Sequence, residues 1–150
     1  TLSLPDALPI YKAQEVAQTC APEDIIIAAD TIVYLDGVIL GKPKDTADAA
    51  RMLAALSGRE HTVYTGVAVL RGGEMRQAAE HTAVRFRTLT PEEIARYIAT
   101  GEPMDKAGAY GIQGRGALFV AHLDGDYFNV MGLPLCRLGQ LLNELGVELL

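Results

Sequence analysis

The spacing of apolar residues predicts strands in the first half of the chain. IIIAA (25–29) is a short β-branched and small run, typical of a buried strand, and it is followed directly by Asp30. VYLDGVIL (33–40) places an Asp-Gly pair at 36–37 between apolar residues, which is a strong hairpin signal. HTVYTGVAVL (61–70) alternates and predicts another strand, with a return strand that ends near residue 86.

Helical spacing and capping residues predict four helices between and after these strands. Tyr11 to Thr19 consists of helix formers, Asp45 is a good N-cap, Thr90 begins a capping box, and Pro134 opens the last helix. The stripes predicted to be buried are Ala49, Met52, Leu53 and Leu56; Ile94, Tyr97 and Ile98; and Leu135, Leu138, Leu142, Leu145 and Leu149.

Helices and strands therefore interleave, and the hairpins exclude an all-parallel sheet. A last strand pair is predicted at 118–123 and 127–130, around an Asp-Gly turn. The expected fold class is α/β or α+β, with a mixed sheet. No repeat or linker divides the sequence, so we expect residues 1–150 to form a single domain.

The composition argues against two classes of partner, nucleic acids and membranes, and indicates a cellular compartment. The chain has 13 basic and 19 acidic side chains, a net charge of −6, which argues against a surface that coats nucleic acid. Its apolar runs are too short to span a bilayer, so we expect no membrane partner. Cys20 and Cys136 form neither a CxxC pair nor a disulfide pattern, and a cytoplasmic location is expected.

Three loops carry residues suited to catalysis or to ligand binding. Asp30 and Thr31 follow a buried strand, although Asp30 could equally cap a turn. Lys42 stands between Gly41 and Pro43, although a lone loop lysine is more often simply solvated. DKAGAYGIQG (105–114) could bring backbone N–H groups to an anion or a base. We interpret the scattered histidines as structural or surface residues rather than metal ligands; they are His61, His81 and His122.

Five segments, taken in order, are similar to those of one protein family. They are DTIVYLDGVILGKPKD (30–45), LSG followed by HTVYTGV (56–67), FRTLTPEEIARYI (86–98), DKAGAYGIQG (105–114) and GLPL (132–135). From about Tyr11 to its end, the chain resembles the Maf family of nucleoside triphosphate pyrophosphatases, first named as septum-formation inhibitors. The resemblance implies a curved mixed sheet flanked by helices in two lobes, as in inosine triphosphate pyrophosphatases, with the site in the cleft.

The resemblance also implies a reaction and its residues. Family members hydrolyse a nucleoside triphosphate between its α and β phosphates with a divalent cation, Mg²⁺ or Mn²⁺. Asp30 matches the family's proton acceptor, which would deprotonate the attacking water or help to hold the metal. Lys42 matches a lysine that contacts the triphosphate, and Lys12 matches another site lysine. The two ammonium groups would offset the charge of a substrate that an acidic protein otherwise repels.

Thr31 and Gln113 match the positions that set base preference in the family. This pair resembles the branch that hydrolyses dTTP and UTP, whereas the branch that prefers 7-methylguanosine triphosphate resembles Asp-Gln at the first position and Glu at the second. A Gln amide can accept from N3–H and donate to O4 of thymine or uracil, whereas a Glu suits guanine. Asp105 and Lys106 are expected to orient the same loop. We expect Asp30, the two lysines and Gln113 to line one pocket.

The first ten residues depart from the family pattern. Family members begin with a strand and an S-x-S-x-R-R stretch followed by a metal-binding glutamate, and residues 1–10 (TLSLPDALPI) contain neither Arg nor Glu. We therefore expect residues 1–10 to be non-family sequence, with the first strand and one metal ligand missing and activity reduced. Two other functions remain open: a nucleotide-binding regulator of cell division without turnover, and a purine-directed enzyme. A homodimer is an option that the resemblance adds.

Overall fold

The computed structural model describes residues 4–150, in which helices and strands alternate along the chain. The helices are α1 (Leu4–Ala17), α2 (Thr46–Leu56), α3 (Pro91–Ala99), α4 (Tyr127–Met131) and α5 (Leu135–Glu144). The strands are β1 (Ile25–Leu35), β2 (Val38–Leu40), β3 (Glu60–Arg71), β4 (Glu74–Phe86) and β5 (Val120–Asp124). Short 3₁₀ helices occupy Glu102–Asp105, Ala107–Ala109 and Arg115–Phe119.

The five strands form one sheet in the order β2-β1-β3-β4-β5. β1 pairs with β2 and β4 pairs with β5, both antiparallel, so the predicted mixture of helices with a sheet that is not all parallel is confirmed. The hairpin predicted at 33–40 turns at Asp36 and Gly37, which have φ of 48° and 81°. Positive φ at both central residues is the requirement of the tight turn that joins two twisted strands.

The contacts divide the chain into two compact units. Of the described residues, the first unit contains 4–31, Tyr64–Glu80 and Phe128–Leu150, and the second contains Ile32–Val63 and His81–Tyr127. Three strands, β1, β3 and β4, each contribute residues to both units.

β3 supplies the core of the first unit on both of its faces. Val67 and Val69 pack against α5, whereas Ala68 packs with Ala13 of α1 and Ile26 of β1. Successive side chains of a strand point to opposite faces, so this stretch is covered by α5 on one face and by α1 on the other. The α5 residues in this core are Leu138, Leu141, Leu142 and Leu145.

Aromatic rings form the centre of the second unit. Phe86 of β4 meets Tyr110 and Phe119 with ring centroids 4.7 and 5.8 Å apart, and Tyr97 of α3 meets Phe119 at 4.8 Å. Helix α2 packs against α3 and presents the stripe that its spacing predicted, with Ala49, Met52, Leu53 and Leu56 all buried. The predicted caps of these helices, Asp45 and the Thr90 capping box, are also present.

The strand predicted at 127–130 is wrong, because these residues lie in α4. The four-residue segment is too short for periodicity to distinguish a strand from a helical turn. Backbone N–H groups of Gly132 and Leu133 both donate to Phe128 O, at 3.1 and 3.0 Å, and so close the helix. Gly132 has φ of 114°, which favours glycine at such a stop.

The last predicted stripe is correct only in its middle. Leu138, Leu142 and Leu145 are buried, but Leu135 is 48% exposed and Leu149 is 64% exposed. The helix ends at Glu144, where Gly146 N donates to Asn143 O with Gly146 at φ of 78°, so the helical spacing does not extend to Leu149. No helix within residues 4–150 combines the length and the hydrophobicity needed to cross a bilayer.

Candidate active site

Lys12 and Asp30 form an ion pair in the first unit. Lys12 Nζ donates to Asp30 Oδ1 over 2.8 Å, with the side chains 51% and 24% exposed. The residue after Lys12, Ala13, is fully buried against β1 and β3, and this packing brings the lysine to the strand that carries Asp30. The carboxylate is therefore held in orientation and still reaches solvent.

A chain of hydroxyl groups fixes Thr31, which follows Asp30 on β1. Thr65 Oγ1 on β3 donates to Asn129 O over 3.0 Å, and the two threonine hydroxyls are 2.8 Å apart. A hydroxyl has one proton, and that of Thr65 is committed to Asn129, so Thr31 donates to Thr65. Thr31 therefore keeps its lone pairs to accept a hydrogen bond from a ligand. The sequence placed Thr65 only within the strand predicted at 61–70 and gave it no role at the site.

In the second unit, the loop that carries Lys42 is joined to the glycine-rich segment. Gly108 N donates to Gly41 O over 3.1 Å, and Pro43 is buried beside an exposed Lys42. Gly108 has φ of 71°, and a Cβ there would lie 3.0 Å from both methyl groups of Val33. Only glycine satisfies both conditions without strain, which explains one glycine of the segment.

The charge of Lys42 acts on the predicted loop-orienting pair, Asp105 and Lys106. Lys106 Nζ donates to Asp105 Oδ1 over 2.9 Å. That hydrogen bond lowers the pKa of the Asp105 carboxyl most, and the charge of Lys42 adds a smaller lowering. The Asp105 carboxylate is thus paired with Lys106 and also experiences the charge of Lys42 from the neighbouring loop.

Gln113 is presented at the tip of a turn. Gly114 N donates to Gly111 O over 3.2 Å, closing a turn in which Ile112 is buried and Gln113 is exposed. The buried isoleucine anchors the turn and the glutamine amide faces solvent, where its oxygen can accept and its NH₂ can donate. Recognition of a nucleobase edge requires such a hydrogen-bond acceptor and donor side by side.

Two further residues of the second unit, Tyr97 and Glu102, bind this turn and its continuation. The Glu102 carboxylate accepts from Arg115 N and Gly116 N, and the Tyr97 hydroxyl accepts from Gly111 N. Sequence reasoning assigned Tyr97 to the core and did not single out Glu102. Their partners are backbone groups, which leave no pattern in side-chain spacing.

The predicted site residues are therefore distributed over both units. Lys12, Asp30 and Thr31 lie in the first unit, whereas Lys42 and Gln113 lie in the second. In the first unit an ion pair joins Lys12 and Asp30, whereas in the second unit the loop of Lys42 is hydrogen-bonded to the segment that carries Gln113. Glu93 completes the capping box predicted from Thr90, because its carboxylate accepts from Thr90 N. The hydrogen bonds from Arg87 and from the Thr90 backbone lower the pKa of Glu93 to about 2.

Across residues 4–150, no group of three or more His, Cys, Asp or Glu is arranged to hold a metal ion. His61 is buried, and burial lowers its pKa to about 4. Its Nε2 lies 2.7 Å from the Tyr110 hydroxyl, inside the aromatic core. This position agrees with the interpretation of His61 as a structural residue.

Comparison with known proteins finds one family and close relatives. Residues 3–145 match the family described as Maf-like protein. A dTTP/UTP pyrophosphatase of Moorella thermoacetica is 56% identical over 145 residues, which cover 95% of this chain and 74% of the relative. Proteins of the same name from Symbiobacterium thermophilum and Clostridium novyi are 54% and 51% identical, over 95% and 92% of this chain and 73% of each relative.

Proposed function

This chain belongs to the Maf-like protein family, and on that premise we propose that it hydrolyses dTTP and UTP to the monophosphate and pyrophosphate. Water gives a proton to Asp30 and forms a bond to the α phosphorus, the bond between the α and β phosphates breaks, and pyrophosphate leaves. The relatives that share about half of this chain's residues carry the name of this activity. The structural observation that carries the proposal is the Asp30 carboxylate, oriented by Lys12 and open to water.

In this proposal Asp30 is the proton acceptor. The Lys12 hydrogen bond to Oδ1 restricts rotation of the carboxylate, which a general base needs in order to meet one particular water. Exposure of about one quarter of the side chain lets that water reach it. Lys12 also brings a positive charge beside the position where the triphosphate would bind. It therefore acts on both the Asp30 carboxylate and the triphosphate.

Lys42 is proposed to bind the triphosphate. The chain has a net charge of −6 and repels a polyanion over most of its surface, so binding needs local positive charge. Lys42 is exposed between Gly41 and the buried Pro43. The proline restricts the backbone of the loop, which reduces the entropy lost when the ammonium group is fixed on a phosphate.

A divalent cation, Mg²⁺ or Mn²⁺, is proposed as the cofactor. Mg²⁺ commonly binds one or two carboxylates and takes its remaining ligands from water and substrate phosphates. A single part-exposed carboxylate, Asp30, fits that mode. When bound, the cation would lower the pKa of the attacking water and neutralise phosphate charge.

Thr31 and Gln113 are proposed to select the base. The amide of Gln113 can accept from N3–H and donate to O4 of uracil or thymine. Thr31 supports the same preference, because its own proton is donated to Thr65 and its oxygen is left to accept. Cytosine reverses the donor and acceptor at these two atoms, so it is disfavoured when the amide is held in the orientation that suits uracil.

Product analysis tests the activity directly. The chain is incubated with dTTP, UTP, CTP, ITP and GTP, with Mg²⁺ or Mn²⁺ and in parallel with a chelator. We expect equal amounts of monophosphate and pyrophosphate from dTTP and UTP, and none with the chelator. Binding of dTTP without release of pyrophosphate would favour the regulator, and faster turnover of ITP would favour the purine-directed enzyme.

We further propose a cytoplasmic location and a homodimer. Cys20 and Cys136 are free thiols, which supports a reducing compartment.

Light scattering after gel filtration tests the proposed homodimer. A mass of twice 16.1 kDa is expected, and a mass of 16.1 kDa at high concentration would exclude the dimer.

A further inference from the structure

The carboxylate of Glu102 binds the backbone on the C-terminal side of Gln113. Its Oε1 accepts from Arg115 N over 2.9 Å, and its Oε2 accepts from Gly116 N over 3.0 Å. These N–H groups begin the 3₁₀ helix Arg115–Phe119, where a helix has no carbonyl of its own to receive them. An ionised carboxylate is a strong acceptor for two such groups at once.

The hydroxyl of Tyr97 binds the backbone on the N-terminal side of the same turn. It accepts from Gly111 N over 3.0 Å and donates to Oε2 of Glu102. The tyrosine is 4% exposed and its ring packs edge-on against Phe119. It projects from α3, whose first turn is closed by a capping box. The hydroxyl is therefore held by a packed ring on a capped helix.

Two glycines allow the backbone to come this close. A Cβ on Gly114 would collide with the Glu102 carboxylate, and a Cβ on Gly116 would lie 2.9 Å from the Tyr97 hydroxyl. Close approach of backbone to a side chain is one of the few conditions that require glycine. The segment thus wraps around Glu102 and Tyr97, with Gln113 at its exposed tip.

The protonation states suit this arrangement. Burial raises the pKa of Glu102, but the hydrogen bonds from Tyr97, Arg115 N and Gly116 N outweigh it, and the net effect is a lowered pKa. Burial first, and then Glu102, raise the pKa of Tyr97. At neutral pH the glutamate is ionised and accepts, while the tyrosine keeps its proton and donates.

We propose that Glu102 and Tyr97 are positioning residues that fix the backbone on both sides of Gln113 and so set the selectivity for uracil and thymine over cytosine. Neither residue needs to touch the nucleotide. The inference rests on the proposed function, in which the Gln113 amide reads the base. A purely structural role would instead stabilise the fold without affecting which base is chosen.

The test compares kcat/KM for UTP and CTP in Glu102→Gln and Tyr97→Phe. Each variant keeps the size of the side chain and removes hydrogen bonds to the turn. Glu92→Gln serves as the control, because Glu92 is an exposed residue of α3 and loses the same charge. We expect the UTP to CTP ratio to fall about tenfold in both variants, mainly through KM for UTP, and to stay unchanged in Glu92→Gln.

A lower thermal midpoint with an unchanged UTP to CTP ratio would overturn the inference, since it describes a structural role only. If Glu102→Gln does not fold, Tyr97→Phe decides by the same ratio. The double variant Glu102→Gln with Gln113→Ala should have the same UTP to CTP ratio as Gln113→Ala alone, because Glu102 acts on selectivity only through the Gln113 amide. A further tenfold fall of the UTP to CTP ratio in the double variant would contradict the inference. Wild-type chain that releases no pyrophosphate from UTP would instead defeat the proposed function, on which the inference rests.

Discussion

Lys12 donates a hydrogen bond to Oδ1 of Asp30 over 2.8 Å, and this contact joins helix α1 to the middle of strand β1, which continues five residues beyond the end predicted for it at Asp30. Lys12→Met keeps most of the side chain and removes the charge. Because Lys12 is half exposed, we expect the free energy of unfolding to change by less than about 1 kcal/mol. We expect kcat/KM for dTTP to fall about tenfold to a hundredfold, since the carboxylate loses its orientation and the phosphate loses a cation.

Steady-state pyrophosphate release and urea unfolding measure the two effects separately. Lys12→Arg preserves the charge and is the control, with most of the activity expected to remain. Equal activity of Lys12→Met and wild type would show that the ion pair is structural only.

Gln113→Glu tests base recognition. The substituted carboxylate cannot donate to O4 of uracil, so we expect kcat/KM for dTTP and UTP to fall at least about tenfold. Gln113 is exposed, and stability should be unaffected. Turnover of dTTP at the wild-type rate in this variant would favour a purine-directed site.

Gly108→Ala tests the junction between the loop of Lys42 and the glycine-rich segment. The positive φ and the two close methyl groups of Val33 make any Cβ strained, so we expect a loss of about 1–3 kcal/mol in the free energy of unfolding. Gly73→Ala is the control, because a Cβ there meets nothing within 4 Å. Equal urea midpoints of the two variants would contradict this account of the junction.

The lowered pKa of His61 makes the free energy of unfolding depend on pH. Burial lowers its pKa from 6.5 to about 4, so between these values the unfolded chain binds more protons than the folded one. Stability is therefore complete above about pH 6.5 and declines as the pH falls toward 4. The shift corresponds to a loss of about 3 kcal/mol.

Urea unfolding between pH 7 and pH 4 measures this slope. His61→Phe combined with Tyr110→Phe removes the imidazole and its 2.7 Å partner together, and should flatten the slope. Tyr110→Phe alone keeps the histidine and should keep the slope. The same steep decline in the double variant would assign the acid sensitivity to other groups.

Helices α2 and α3 and the first hairpin could be predicted because their signals are local. Asp45 caps α2 and Thr90 caps α3, each by accepting from an N–H group three residues further on. The Asp-Gly pair at 36–37 supplies the positive φ of the hairpin turn. The strand predicted at 127–130 failed since a segment of only four residues fits a helical turn equally well.

The candidate site was predictable only in part. Asp30, Lys42 and Gln113 stand out in sequence because polar residues break an apolar or glycine-rich pattern. Thr65 and Glu102 do not, since they act through a carbonyl of Asn129 and through backbone N–H groups. Such partners are identical for every residue type, and they become visible only when the fold brings distant segments together.

Pyrophosphate release by Asp30→Asn tests the central claim most directly. The amide has the shape of the carboxylate but cannot accept the proton of the attacking water. Asp124→Asn, an exposed aspartate at the end of β5, is the matched control. With Mg²⁺ and dTTP, we expect Asp30→Asn to be at least about a hundredfold slower than wild type while Asp124→Asn matches it. Release by Asp30→Asn at the wild-type rate would contradict the account.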